Sequence, residues 1–270
     1  MEKKSKISAL FPFLIIIPIA IFVFSLRYFS GLNRYRHWLT IVMPLVGFFL
    51  CSIALYQILI KEKRRFKAIG LRTDVVRATS SIVFGIVGGI FFFFVYFGAH
   101  PGRLLPPLKT LIFFNICNLF CIIANEIIYR AWTVFNFTKA FSNLHSILLS
   151  TLAYILINIA TVGQDLTSIV GGVIDATIII EIIFSSLIIG LFLNYLYTMT
   201  HCIYGNIIFM LISNIPIIYE KGGAAWQGNL ASAIISGACF IFLTAFLIRT
   251  QLHPTAKPSL EKDIRFRPTI

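Results

Sequence analysis

Apolar residues run in long blocks separated by short basic, Gly-rich or Pro-rich stretches. Eight of these blocks predict helices, over residues 7–26, 39–60, 80–98, 110–137, 143–160, 177–198, 203–219 and 229–248. Several exceed the roughly 18 residues that a helix needs to cross the hydrocarbon of a bilayer. Pro101, Pro106 and Pro107 mark the 99–108 connection as a loop, and Gly171-Gly172, Gly222-Gly223 and Gly228 punctuate later boundaries. The last 20 residues, with Pro254, Pro258, Pro268 and mixed charge, read as an exposed tail over 251–270. The expectation is an all-α polytopic membrane bundle over residues 1–250, of about eight transmembrane helices, with no internal repeat.

Composition narrows the class. The chain is 58% hydrophobic and 12% charged, with mean hydropathy +0.89, which leaves no room for a separate soluble domain. The stretch from Ile7 to Leu26 follows a basic start and has the look of a signal peptide. Its apolar core is too long for one, and Arg27-Tyr28-Phe29 stands where a small-residue cleavage site would be. It reads as a retained signal-anchor helix.

The net charge of +13 sits mostly between the apolar blocks, where basic residues set topology and meet anionic lipid rather than nucleic acid. With the N-terminus inside, the cytoplasmic side holds Lys3, Lys4, Lys6, the cluster Lys61, Lys63, Arg64, Arg65, Lys67, Arg72 and Arg77, then Lys139 and the tail. The other side keeps Arg27, Arg34, Arg36, Arg103, Lys109 and Lys221. The excess favours an N-in, C-in topology. Residues 61–79 intersperse Phe66, Ile69 and Leu71 among the bases, as an amphipathic surface segment does. Richness in Ile, Phe, Lys and Asn fits an AT-rich bacterial genome, and so a bacterial plasma membrane. The five cysteines, Cys51, Cys117, Cys121, Cys202 and Cys239, show no Cys-x-x-Cys spacing, so neither a disulfide framework nor a zinc site is expected. The five histidines are scattered in or near loops, and no helix presents two at ligand spacing. No cofactor is expected.

The chemistry concentrates in Ala124-Asn125-Glu126-Ile127-Ile128-Tyr129-Arg130-Ala131, inside an apolar block. Glu126 and Arg130 stand four apart, on one helix face. A charge near the bilayer centre costs about 2.5–3.5 kcal/mol on insertion scales, so such residues are rare, paired and usually functional. Two further acids, Asp175 and Glu181, fall in the sixth block, and charge economy offers Glu181 as a second partner for Arg130. At about 1.5 Å per residue, Asn125, Asn158, Met210 and Asn214 all fall roughly 15–20 Å into their helices. That is how three helices bring special positions to one level.

These residues carry a resemblance. Asn125-Glu126-Ile-Ile-Tyr129-Arg130 resembles the Glu-Glu-x-x-x-Arg motif of the CPBP family (CAAX proteases and bacteriocin-processing or self-immunity proteins, also called the Abi family). The run Ser146 to Asn158 is similar to its Phe-x-x-x-His motif. The run Gly190 to Tyr197, with Thr200-His-Cys-Ile-Tyr204, resembles the Gly-rich helix and turn before the last motif. Met210-Leu-Ile-Ser-Asn214 then falls where the family has His-x-x-x-Asn. The resemblance covers about residues 110–220. Phe141-Ser-Asn-Leu-His145 fits Phe-x-x-x-His literally but starts too near the end of its block, and His201 begins no His-x-x-x-Asn because Asn206 comes one late.

The resemblance implies a glutamic-type endopeptidase whose first Glu and first His hold and deprotonate water, with the last His and Asn stabilising the oxyanion. Here those positions are Asn125, Asn158 and Met210, and of the oxyanion pair only Asn214 remains. An amide supplies no base near neutral pH, and losing one oxyanion donor alone costs about 10²–10³ in rate. Retained are Glu126, Arg130 and Asn214. The expectation is therefore a degenerate member, non-catalytic, that binds the transmembrane helix of a membrane-anchored partner. Asn115, Asn118, Asn125, Asn158 and Asn194 are available to hydrogen-bond such a helix. Family resemblance implies a cell-envelope enzyme, a sensor or a bacteriocin self-immunity system as the partner class. The competing reading is an active endopeptidase using substitute residues. A transporter would show broken helices and repeated halves, and neither is seen.

Overall fold

The structure, a computed structural model, describes residues 9–30, 36–62, 69–71, 74–99, 103–104, 119–168, 176–213, 218–219 and 241–242. Seven helical stretches carry the fold. They are α1 (Phe11–Ser30), α2 (Arg36–Leu55, continuing as a π turn over Tyr56–Lys61) and α3 (Val75–Ala99). Next comes α4, helical over residues 119–137 with a π turn at Ile127–Trp132 and a last α turn at Thr133–Phe137. Then follow α5 (Asn143–Ser168), α6 (Ala176–Thr200) and α7 (Tyr204–Ser213). Residues 241 and 242 are also helical. Among the described residues the regular structure is helical apart from a two-residue antiparallel pair, β1 (Arg103–Leu104) with β2 (Ile218–Tyr219), in which Arg103 faces Tyr219.

Among the described residues three helices are long and apolar enough to cross a membrane: Pro44–Lys61, Val75–Val95 and Ile182–Thr200, of mean hydropathy 1.7, 2.1 and 1.8. Phe11–Ser25, Asn143–Ile159 and Tyr204–Ser213 are shorter apolar stretches among the described residues. Large apolar side chains face outward on the long helices, including Phe84, Phe91 and Phe94 of α3 and Phe184 and Ile188 of α6. In water such a surface would be costly; in lipid it is the solvated face. Pro18 and Pro44 lie inside α1 and α2, a placement that membrane helices tolerate.

One expectation is corrected. The block 203–219 predicts a single span, but the helix ends at Ser213 and Ile218–Tyr219 are extended. Pro216, with no N–H to give and a fixed φ, stands between them. Residues 1–8, most of the predicted eighth block and the 251–270 tail lie outside the described residues.

α4 is the centre of the bundle. Its Phe120, Ala124, Ile128, Tyr129 and Trp132 are buried with Ile16 of α1, Leu50 and Leu55 of α2, Tyr154 of α5 and Tyr197 of α6. Around it α1 packs on α5, α5 on α6, and α3 on α7. Phe13 and Phe137 stack with ring centroids 5.2 Å apart, seating α1 against the end of α4.

The α3–α7 contact is backbone to backbone. A Cβ on Gly85 would collide with the carbonyl of Gly205, and one on Gly205 would collide with the carbonyl of Ser81. Ser81, Gly85 and Gly89 recur every four residues, the small-residue stripe that lets membrane helices approach closely. Into that approach the amide of Gly205 donates to Ser81 Oγ at 3.1 Å, and the same hydroxyl donates to the Cys202 carbonyl at 3.3 Å.

Candidate functional site

Polar side chains inside the bundle form three successive groups along α4. The first lies where its end meets the π turn of α2. Trp132 Nε1 donates to Gln57 Oε1 at 2.7 Å, and Gln57 Nε2 donates to Asn136 Oδ1 at 2.9 Å. Asn136 Nδ2 donates in turn to the Trp132 carbonyl at 2.9 Å. Lys139 closes the group by ion-pairing with Glu62 and donating to Asn136 Oδ1 at 3.2 Å. Each π turn of the bundle therefore touches the other through Gln57 and Trp132.

The second group sits one turn further in. The Tyr129 carbonyl accepts from the Thr133 and Ser150 hydroxyls, which stand 2.6 Å from each other. Ser150 Oγ reaches Asn194 Oδ1 at 3.1 Å, and Asn194 Nδ2 donates to Thr151 Oγ1 at 2.9 Å. All of these side chains are buried, and they tie α4 to α5 and α6.

The third group holds the charges. Glu126 and Arg130 are fully buried, with Arg130 Nε 3.3 Å from Glu126 Oε2. The guanidinium lies 4.6 Å from the ring centroid of Tyr154 and 5.9 Å from that of Tyr129, within cation–π range. Asn206 of α7 adjoins the Glu126 carboxylate, and Tyr154 adjoins Arg130 and Asn158. Among the described residues, both carboxylate oxygens of Glu126, all three guanidinium nitrogens of Arg130 and Asn206 Oδ1 are buried without a hydrogen bond of good geometry. A buried ion pair is costly to keep unless further hydrogen bonds complete it.

The structure places the sequence-predicted residues as follows. Glu126, Arg130 and Asn158 gather with Tyr154 and Asn206 where α4, α5 and α7 meet. Asn158 Nδ2 also donates to Ser186 Oγ of α6 at 3.0 Å. Asn125 is half-buried beside the group. Met210, one turn along α7 from Asn206, is buried in an apolar cluster with Ile122, Leu193 and Phe209. Asn214, Asn115 and Asn118 lie outside the described residues, as does the Glu181 side chain, although α6 includes that position. Asn194, one of the carboxamides offered for a partner helix, is fully buried and bonded to Ser150 and Thr151 within the bundle. His145 is exposed at the start of α5, its Nδ1 2.7 Å from Ser142 Oγ. His201 takes φ +50° at the end of α6, where its amide donates to the Tyr197 carbonyl at 2.7 Å in the manner of a left-handed helix stop. Among the described residues no three His, Cys, Asp or Glu side chains cluster as metal ligands.

Asn206 does not stand out in the sequence, because its offset from His201 fits no His-x-x-x-Asn pattern. The usable signal was a carboxamide in an apolar block, one helical turn before Met210. Searches of protein-family models, curated proteins and solved structures find no match to this chain.

Proposed function

We propose that this chain is a catalytically degenerate CPBP-like membrane protein of about eight spans, N-in and C-in, that works by binding. Its occupant is the transmembrane helix of a membrane-anchored protein, held without cleavage, with lipid around the remaining faces. One observation carries the reading. The acid of the motif, Glu126, is locked against Arg130, and around it stand Tyr154, Asn158 and Asn206 rather than an imidazole–carboxylate pair. A carboxylate held by a guanidinium is a poor base, and carboxamides neither take nor give protons near neutral pH. What carboxamides do well in lipid is hydrogen-bond another helix. Met210, packed among Ile122, Leu193 and Phe209, adds apolar surface where the resemblance would have a second imidazole.

The test is photocrosslinking in membranes from a crosslinking residue at position 125, with position 91 on the outer face of α3 as control. A single-pass protein captured from 125 and not from 91 is then reconstituted with the wild-type chain and with Asn158→Ala. The expected result is an intact bound helix whose binding weakens in the variant. Lipid adducts alone from both positions, or cleavage of the captured helix, would overturn the reading.

A further inference from the structure

The π turn at Ile127–Trp132 lies between Glu126 and the end of α4 that Gln57 and Ser150 hold by hydrogen bonds. A π turn holds about one residue more than an α turn. Here the Thr133 amide reaches back to the Ile128 carbonyl, so the Tyr129 carbonyl is released from the helical ladder. Two buried hydroxyls, Thr133 on α4 and Ser150 on α5, take it up, and Asn194 and Thr151 tie Ser150 to its place. Gln57 holds Trp132, the last residue of the turn, so the downstream side is fixed.

We propose that Ile127–Trp132 is a register switch that makes Glu126 a latent binding residue, presented in the direction now occupied by Asn125 when the π turn straightens. Straightening one π turn rotates the upstream helix by about 100° and moves it by about 1.5 Å, a step of one residue. Glu126 then takes the place of Asn125, and Ile127 takes the place beside Asn206. In the present register Glu126 and Arg130 face each other and the side chains of Asn206 and Tyr154, without a hydrogen bond of good geometry. Asn125 is partly exposed, so a carboxylate in its place is open to a ligand from outside the bundle. The ligand it suits is a cationic or N–H-rich group, where the carboxamide of Asn125 suits a neutral one. The hydroxyls on the Tyr129 carbonyl hold the first state. This switch stands whether or not the occupant of the site is a partner helix.

Disulfide trapping tests it without touching Glu126 or Arg130. In a full-length chain with its native cysteines replaced by Ala, Ile122→Cys with Met210→Cys reports the present register, in which both positions share one cluster. Ile123→Cys with Met210→Cys reports the straightened one, because every upstream residue advances by one. The first pair is expected to dominate in otherwise wild-type membranes. Adding Thr133→Val and Ser150→Ala is expected to raise the second at least threefold relative to the first. Unchanged trapping of the first pair in a monodisperse variant would overturn the switch. If that variant does not fold, prolonged oxidation of the wild-type background decides: slow accumulation of the 123–210 disulfide supports the switch, and its complete absence overturns it.

Discussion

Gly85 and Gly205 bring α3 and α7 so close that a methyl on either would strike the opposite backbone. Nothing flexible lies in the way to give, since the obstructing atoms are main-chain carbonyls. Gly205→Ala is therefore expected to destabilise by about 3 kcal/mol or more, at the upper end of overpacking costs. Gly47 of α2 is the control, because a Cβ there meets nothing within 4 Å. Gly47→Ala should stabilise by about 0.5–1 kcal/mol through helix propensity alone. Thermal unfolding in a mild detergent, followed by loss of the monodisperse peak, separates the two outcomes. Equal behaviour of the two variants would mean that α3 and α7 do not meet at these glycines.

Gln57 serves Trp132 and Asn136 at once. Gln57→Leu keeps the volume and strands the Trp132 indole N–H, at about 1–3 kcal/mol for a buried group left unpaired, while Asn136 Oδ1 keeps Lys139 as a donor. Trp132→Phe removes the donor from its side. If the bond joins the two π turns, the double variant loses less than the sum of the single ones. The expected coupling is about 0.5–3 kcal/mol in a double-mutant cycle. Strict additivity in that cycle would place the two residues out of contact.

Much of the architecture was legible because hydropathy reports helices in lipid directly. The block 80–98 became Val75–Ala99, 177–198 became Ala176–Thr200, and 39–60 became the α2 helix with its π turn. The π turns themselves were not legible, since an apolar block reads the same whether its hydrogen bonds run to the fourth or the fifth residue. The Glu126–Arg130 pair was legible from spacing alone, because the i,i+4 relation is local. Asn206 was not, because its neighbour Glu126 lies 80 residues away in sequence and only packing brings them together. The Ser81–Gly85–Gly89 stripe gains its meaning only from packing, because its spacing does not say which helix it meets.

Asp74 begins α3 outside the apolar run. Its Oδ1 accepts from the Arg77 amide at 2.8 Å, and its Oδ2 lies 3.2 Å from Arg77 Nε. The first contact caps the helix; the second is an exposed ion pair, worth little. Asp74→Ala is expected to cost about 0.5–2 kcal/mol, and Asp74→Asn much less, because the amide oxygen still caps. High salt should leave the difference between Ala and Asn in place. If salt erased it, the ion pair rather than the cap would be the source.

The last prediction concerns the charges on α4. Removing one member of a buried ion pair leaves the other uncompensated, which costs about 3–5 kcal/mol, whereas removing both for apolar groups is often neutral or stabilising. Arg130 also loses two aromatic faces when it goes, Tyr154 and Tyr129, so its deletion should be the more damaging single change. Arg130→Met and Glu126→Leu are each expected to lower the unfolding temperature in detergent clearly, and the double variant to recover most of the loss. An unpaired Glu126 in the Arg130→Met chain has an escape that Arg130 lacks, since it can bind a proton and become neutral. The Arg130→Met loss should therefore shrink as the pH is lowered, because protonation removes the stranded charge, while the Glu126→Leu loss should not. Recovery in the double variant with this pH asymmetry identifies an ion pair that costs stability. Failure of the double variant to recover would show that Arg130 is held by partners other than Glu126, with Glu181 on α6 the first to examine.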